Sequence, residues 1–489
     1  MRKIILLFLA FVAVASAYAK GLRLPNVLSD NMVLQSNKDV NLWGWADAGK
    51  TVSITTSWTG TKAVTAKVGK DGRWKTTVRM PKASYTPLSI TFTDGKDKVT
   101  LSNILSGEVW LCAGQSNMEM PIEGFGNCPT EGYNDVVLDA KYHQGIRFVK
   151  IPSVMRTVPM EDAQCKWEVT SMESVRRASA TGYFFAHLLN TALDIPVGLI
   201  MANKGGSRVE SWLTEDNLKK YTDESLDSAT NVKKFRWDFH YPLYWGNGTV
   251  NPVINYTIKG ILFYQGCSNV GDPNNKYSDN LALLVKQWRN QFTGKTPTDA
   301  EPTAEGKDIP FYFVEIAPYW QDDMQGTAAA LLREQQKRAS EIIPNSALVC
   351  TNDLVYPWET KQIHPTQKRQ VGERLAYHAL VKNYGQSGFM CESPEVSNVK
   401  FVGDTCIVGI KNDYEAVSRF EQLEGFELAG EDKVFHKADG YHDWQKGGYV
   451  LTSAEVKKPV AVRYCFRNFQ LGNIKNRGGL PLFPFRSDK

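Results

Sequence analysis

Gly107-Glu108-Val109-Trp110-Leu111-Cys112-Ala113-Gly114-Gln115-Ser116-Asn117-Met118-Glu119-Met120-Pro121 decides how the rest of the chain is read. Its first half is an unbroken apolar, β-prone run, the pattern of a strand covered on both faces, and Gly114 interrupts it directly before a serine with polar neighbours. A serine hydroxyl is a weak nucleophile at its free pKa. Presented on a tight strand-to-helix turn, with its own N–H free for an oxyanion, it can open an ester. Gly-Gln-Ser alone also fits an ordinary loop after a strand, so the reading depends on what surrounds it.

Upstream, from Leu22 to about Leu105, apolar and polar residues alternate with period two in Val40–Trp45, Thr51–Thr55, Trp74–Val78 and Leu88–Phe92, punctuated by Asp71-Gly72 and Asp94-Gly95. A small antiparallel sandwich is expected there, over residues 20–105, its aromatic residues serving mainly as core. Downstream, strand and helix patterns alternate. Strands are expected at Ile146–Ile151, Val197–Ala202, Gly260–Tyr264, Phe311–Ile316 and Ala347–Thr351, and helices at Ala178–Leu193, Asn280–Gln291, Thr327–Ile342 and Lys368–Val381. That alternation predicts a three-layer α/β/α domain with a parallel sheet over residues 106–385. The β pattern returns in Val399–Val402, Thr405–Ile410 and Ala461–Cys465, which predicts a second β-sandwich-like domain over 390–489. Thr296–Lys307, rich in Pro, Glu and Thr, reads as a surface loop.

The 489 residues are too many for one small core, and a composition with 22% charged residues is that of a globular protein. A net charge of only +5, spread without a basic block, gives no reason to expect nucleic acid or an anionic membrane as partner. Arg2 and Lys3, the apolar run Ile4–Ala15 and Ala17-Tyr18-Ala19 form a secretory signal pattern, residues 1–19, which predicts export to the periplasm or the extracellular space. No later stretch has the length of a membrane span. The eight cysteines are scattered, so mostly free, buried thiols are expected, with Cys112 filling core. No His-Glu-x-x-His, no paired Cys-x-x-Cys and no phosphate loop occurs, so neither metal nor cofactor is expected.

Three further segments, each at the end of an apolar strand or just before a helix, can converge on Ser116, because open α/β sheets bind ligands at the carboxyl ends of their strands. Asn203-Lys204-Gly205-Gly206-Ser207 offers backbone N–H groups, and Tyr264-Gln265-Gly266-Cys267-Ser268-Asn269 offers the side-chain amides of Gln265 and Asn269. Ile363-His364-Pro365 offers a histidine, the side chain suited to a base working near neutral pH. Among the histidines, His187 and His378 fall in helical patterns and His436 and His442 in the C-terminal β region, while His240 is the serious competitor of His364.

The Gly114–Met118 block resembles the nucleophile block of the sialate O-acetylesterase family, within the SGNH group of serine esterases. The resemblance spans nearly the whole chain, from Leu24-Pro25-Asn26-Val27-Leu28-Ser29-Asp30-Asn31-Met32-Val33-Leu34-Gln35 to Gly479-Leu480-Pro481 and Pro484-Phe485-Arg486. It implies Ser116 as nucleophile, His364 as base, and Gly206 with Gln265 or Asn269 as oxyanion donors, Gly205-Gly206-Ser207 with Glu210 and Trp212 matching the family's second block. Relatives often carry Glu where Cys267 stands, and SGNH enzymes commonly place Asp three residues before the histidine, where this chain has Lys361. The acid of the triad is therefore left open between Asp353, Glu359 and a dyad oriented by a backbone carbonyl. The resemblance implies a cofactor-free esterase acting on O-acetylated sialic acid, with acetylated xylan or another glycan as the runner-up substrate. The competing reading is a non-catalytic glycan-binding protein that uses its β domains and Trp237-Asp238-Phe239-His240-Tyr241.

Overall fold

The structure, a computed structural model, describes residues 21–60, 62–272, 276–411 and 422–488. The leader pattern of residues 1–19 lies outside the described residues. The fold is mixed α/β: a central, mostly parallel sheet with additional antiparallel sheets. The central strands are β1 (Lys98–Gly114), β2 (Ile146–Lys150), β3 (Trp167–Val169), β4 (Val197–Asn203), β5 (Gly260–Tyr264), β6 (Phe311–Val314) and β7 (Ser346–Val349). Their spatial order is β7-β6-β5-β1-β4-β2-β3, parallel throughout except for β3, which runs antiparallel to β2. The chain lays down β2 to β4 on one side of β1 and β5 to β7 on the other, so the order reverses at β1, where a ligand crevice is expected.

The apolar run Val109–Ala113 lies in the inner half of β1, which is buried without a break from Ile104 to Gly114. Its side chains alternate between two cores. Trp110 and Cys112 pack with Phe185 and Leu189 of α3 (Ala180–Leu193) and with Leu375 and Ala379 of α6 (Lys368–Lys382). Val109, Leu111 and Ala113 belong to the other cluster, with Leu284 and Trp288 of α4 (Tyr277–Phe292) and Leu332 of α5 (Ala328–Ile342). At roughly 1.5–3 kcal/mol per large apolar side chain fully buried, these contacts are what fix the register of the sheet.

The second cluster does not stop at the central sheet. It continues through Val52, Ile54, Trp74 and Phe92 of the N-terminal strands, and β1 itself pairs along its first half with Ser84–Thr93. The boundary expected between residues 105 and 106 therefore falls inside one continuous strand. Tyr256, behind the central sheet, donates its hydroxyl to the Val33 carbonyl at 2.8 Å and meets Trp43 edge-on, which ties the two regions together. Among the described residues the C-terminal part forms two four-stranded antiparallel sheets, whose inward side chains, among them Val408, Leu428, Tyr449, Leu451 and Val462, share a separate core.

Helix and strand limits follow the sequence pattern to within a few residues, and the expected loop at Thr296–Lys307 contains one helical turn at Ala304–Lys307. All eight cysteines are free. Among the described residues no helix is long and apolar enough to cross a membrane.

Candidate active site

The register of the three middle strands sets the site. Gly114 ends β1 opposite Asn203 of β4 and opposite Tyr264 of β5, so the loops after all three strands emerge at one level. Gly114 has φ +134°, and a Cβ there would stand 2.3 Å from the Tyr264 carbonyl oxygen. Only glycine lets the chain turn against β5 at this point. Ser116 is then the first residue of the short helix α1 (Ser116–Glu119), where its N–H has no intrahelical partner.

The loop after β7 brings His364 to that serine. Nε2 of His364 lies 2.8 Å from Oγ of Ser116, a hydrogen bond between residues 248 positions apart. Asn117 fastens the two segments: its Nδ2 donates to the Ile363 carbonyl at 3.0 Å, and its Oδ1 accepts from Lys368 Nζ at 2.9 Å. Lys368, the first residue of α6, also donates to the Pro365 carbonyl at 2.6 Å. Helix α3 is pinned to the same place, because Ser179 caps it while donating to the Met118 carbonyl at 2.6 Å.

Neither candidate carboxylate reaches the histidine. Asp353 is held by Arg374 at 2.8 Å and Lys475 at 2.9 Å, in a buried ion pair that braces α6. Glu359 accepts from the N–H groups of Thr366 at 3.0 Å and Tyr356 at 2.8 Å, closing the loop that carries His364. What faces Nδ1 of His364 is the buried thiol of Cys128, at 3.7 Å. The thiol hydrogen has Gln362 Oε1 at 3.1 Å or Asn127 Oδ1 at 3.2 Å as acceptors, so sulfur lone pairs remain for an Nδ1–H. The Phe125 ring meets the imidazole edge-on from the same loop. Cys267 lies near the Asn117 side chain and Lys368 instead. Burial, with the Lys368 cation adding to it, pushes the His364 pKa down to about 4.

The glycine loop after β4 lies beside the nucleophile: a Cβ on Gly205 would be 3.5 Å from that of Ser116. The Gly205 N–H is taken by Glu119 Oε2 at 2.7 Å, whereas the N–H groups of Ser116 and Gly206 donate to no acceptor among the described residues. Gly206 has φ +76°, and the Phe239 ring lies directly where its side chain would be. The two amides of the third loop are committed elsewhere. Gln265 Nε2 donates to the Ser207 carbonyl at 3.0 Å and to Asn269 Oδ1 at 2.9 Å, while Asn269 Nδ2 donates to Glu210 at 2.9 Å and Asp272 at 2.7 Å. Gln115 closes the turn, its Oε1 accepting from Gly266 and Cys267.

His240 is outside this constellation. It packs edge-on against Phe239 and lines a cavity of about 350 Å³ with Arg208, Glu210, Glu224 and Asp272. Sequence reasoning missed Cys128, Glu119 and Lys368. Glu119 stood in the nucleophile block, but nothing in the pattern of Cys128 or Lys368 marks a neighbour of His364 that tertiary packing supplies.

Residues 106–381 match the family described as "Carbohydrate esterase, sialic acid-specific acetylesterase". Human sialate O-acetylesterase is 25% identical over 405 residues, covering 76% of this chain and 73% of the human one. The mouse sialate O-acetylesterase is 22% identical over 481 residues, 87% of this chain and 85% of the relative. Among solved structures, a carbohydrate acetylesterase from Xanthomonas citri superposes with a TM-score of 0.81 at 27% identity, covering 96% of this chain and all of that one.

Proposed function

We propose, from the premise that the chain belongs to the family of sialic acid-specific carbohydrate acetylesterases, that its ester hydrolysis runs through an acyl-serine at Ser116 with His364 as the base. The chain is thus a carboxylic ester hydrolase, removing acetyl groups from sialic acid or another glycan. The observation that carries the proposed roles is the 2.8 Å contact between His364 Nε2 and Ser116 Oγ at the carboxyl ends of the central strands.

In the reading we favour, His364 Nε2 takes the hydroxyl proton as Ser116 Oγ attacks the acetyl carbonyl. The oxyanion is received by the N–H groups of Ser116 and Gly206, while Gln265 and Asn269 brace the loops that aim them. Collapse breaks the ester bond, and His364 gives the proton to the departing sugar oxygen, which leaves as a hydroxyl. Water, deprotonated by the same nitrogen, then attacks the acyl carbon, and His364 returns that proton to Ser116 Oγ as the acyl bond breaks and acetate leaves. O-acetylated sialic acid is the substrate we put first, with acetylated xylan or another glycan second. Trp237, 47% exposed and stacked on the Phe239 ring that covers Gly206, offers an apolar wall for a sugar next to the acetyl position. The finer architecture, a three-layer α/β/α SGNH domain over 106–385 with β-sandwich-like regions over 20–105 and 390–489, the first of them continuous with it through β1, belongs to this reading. So does export, which rests on the Arg2–Ala19 pattern.

Hydrolysis of a chromogenic acetyl ester by the purified chain tests the chemistry, and acetate release from O-acetylated sialic acid beside acetylated xylan tests the substrate. No hydrolysis of any acetyl ester, with retained glycan binding, would favour the binding-protein reading.

Buried beside the Lys368 cation, and with no carboxylate among the described residues on its Nδ1, His364 stays neutral well below its ordinary range. The acidic limb of kcat/KM should fall about tenfold per pH unit below about pH 4, where His364 gains its proton, rather than below pH 6–7. An acidic limb centred near 6.5 would contradict this site.

We further assign Cys128 as the group that positions the His364 ring through its sulfur. Cys128→Ala should lower kcat/KM by about tenfold, less than loss of the base, because triad members contribute unequally. Cys128→Asp should move the acidic limb upward, since an anion beside Nδ1 favours the imidazolium. Asp353→Asn should cost mainly stability, roughly 3–5 kcal/mol for breaking a buried ion pair, and Glu359→Gln should cost less activity than Cys128→Ala. A loss in Asp353→Asn or Glu359→Gln equal to that of removing the histidine would show an intact carboxylate triad.

A further inference from the structure

Away from the active site, Asp139, His143 and His187 converge at the surface. Asp139 ends α2 (Tyr133–Asp139), His143 follows one 3₁₀ turn later, and His187 projects from the middle of α3. Nε2 of His187 lies 2.8 Å, and Nε2 of His143 3.1 Å, from the same oxygen, Oδ2 of Asp139. The three ligand atoms all lie within 4.8 Å of one another.

The neighbours of His143 settle which of its nitrogens carries hydrogen. Asn190 Nδ2 donates to the Ile195 carbonyl at 2.8 Å and contacts the Tyr85 hydroxyl at 2.9 Å, and a carbonyl can only accept. Asn190 Oδ1 is therefore the atom 2.8 Å from His143 Nδ1, and Nδ1 must be the donor. In a neutral ring this leaves an Nε2 lone pair aimed at a carboxylate oxygen. Two acceptors face each other, and a cation has to lie between them, either a proton on the ring or a metal ion.

We propose that Asp139, His143 and His187 bind a divalent cation of the zinc class, through Oδ2 and the two Nε2 atoms, with a fourth position left to water. Tetrahedral zinc with bonds of about 2.0–2.1 Å spaces its ligand atoms about 3.3 Å apart, so the observed separations need only small side-chain adjustments. Imidazole nitrogens select a borderline ion over calcium or magnesium. The Nδ1–H of His143 donated to Asn190 supplies the outer hydrogen bond that metal-bound histidines usually have. The ion would tie the end of α2 to α3, a structural role distinct from ester hydrolysis. Sequence spacing did not reveal the site because His187 lies 44 positions beyond His143, on another helix.

The test uses the full chain, stripped with a chelator and titrated with zinc chloride by calorimetry. One equivalent should bind, Tm should rise with zinc, and acetylesterase activity should be the same before and after stripping. His143→Gln, His187→Gln and Asp139→Asn should each weaken binding by about tenfold or more, with activity unchanged, whereas His378→Gln, in the other cluster of potential ligands, should leave binding intact. Cobalt in the unmodified protein provides a readout that does not depend on variants folding: an intense visible band marks four-coordination. Absence of saturable binding at millimolar zinc, binding unaltered in all three variants, or a weak octahedral cobalt spectrum would each overturn the proposal and leave the proton as the bridging cation.

Discussion

Ser116→Ala is expected to leave the fold intact and to lower kcat/KM on an acetyl ester by about a thousandfold or more, since a methyl group cannot form the acyl intermediate. The fold should survive because Ser116 is only partly buried and its backbone, rather than its hydroxyl, starts α1. The Gly114 turn, the Gln115 bridge to Gly266 and Cys267 and the Asn117 link to Ile363 all remain without Oγ. Activity is read on a chromogenic acetyl ester and folding by thermal melting. A folded variant that kept more than about a tenth of the activity would place the nucleophile elsewhere, because the loss would be far below that of removing one.

His364→Ala should be comparably damaging, and combining it with Ser116→Ala should add little, because nucleophile and base act as one unit. His240→Ala is the informative contrast. His240 competed with His364 in the sequence, but its ring lies against Phe239 at the charged cavity, not against Ser116. Its loss should raise KM on a glycan substrate more than it lowers kcat, and should barely affect a small acetyl ester. Damage from His240→Ala equal to that from His364→Ala, on the small ester, would reverse the assignment.

The contrast between these two histidines shows what kind of information a chain carries locally. Strands β1, β4 and β5 were legible because strands covered on both faces must be apolar throughout, and Gly114 was legible because a residue breaking such a run has to serve a turn. Helices α3 to α6 were legible from their periodicity. The fusion of the N-terminal strands with the central core was not, since β1 looks like two strands of different character when read along the chain and is one only through its partners.

At the site, the sequence by itself determined the chemistry of each loop: a serine after a glycine turn, a glycine pair free of side chains, and a histidine ahead of a helix. It could not determine where side-chain hydrogen bonds go, because those are chosen by whichever neighbours packing supplies, 4 positions away for Gln265 and Asn269 and 236 for Cys128 and His364. Tertiary structure decided that the Gln265 and Asn269 amides serve one another and Glu210. It decided that Asp353 belongs to Arg374, and that the histidine's far nitrogen meets the thiol of Cys128. The physical reason is that a buried polar group must be paired, and the identity of its partner is a property of packing rather than of sequence spacing.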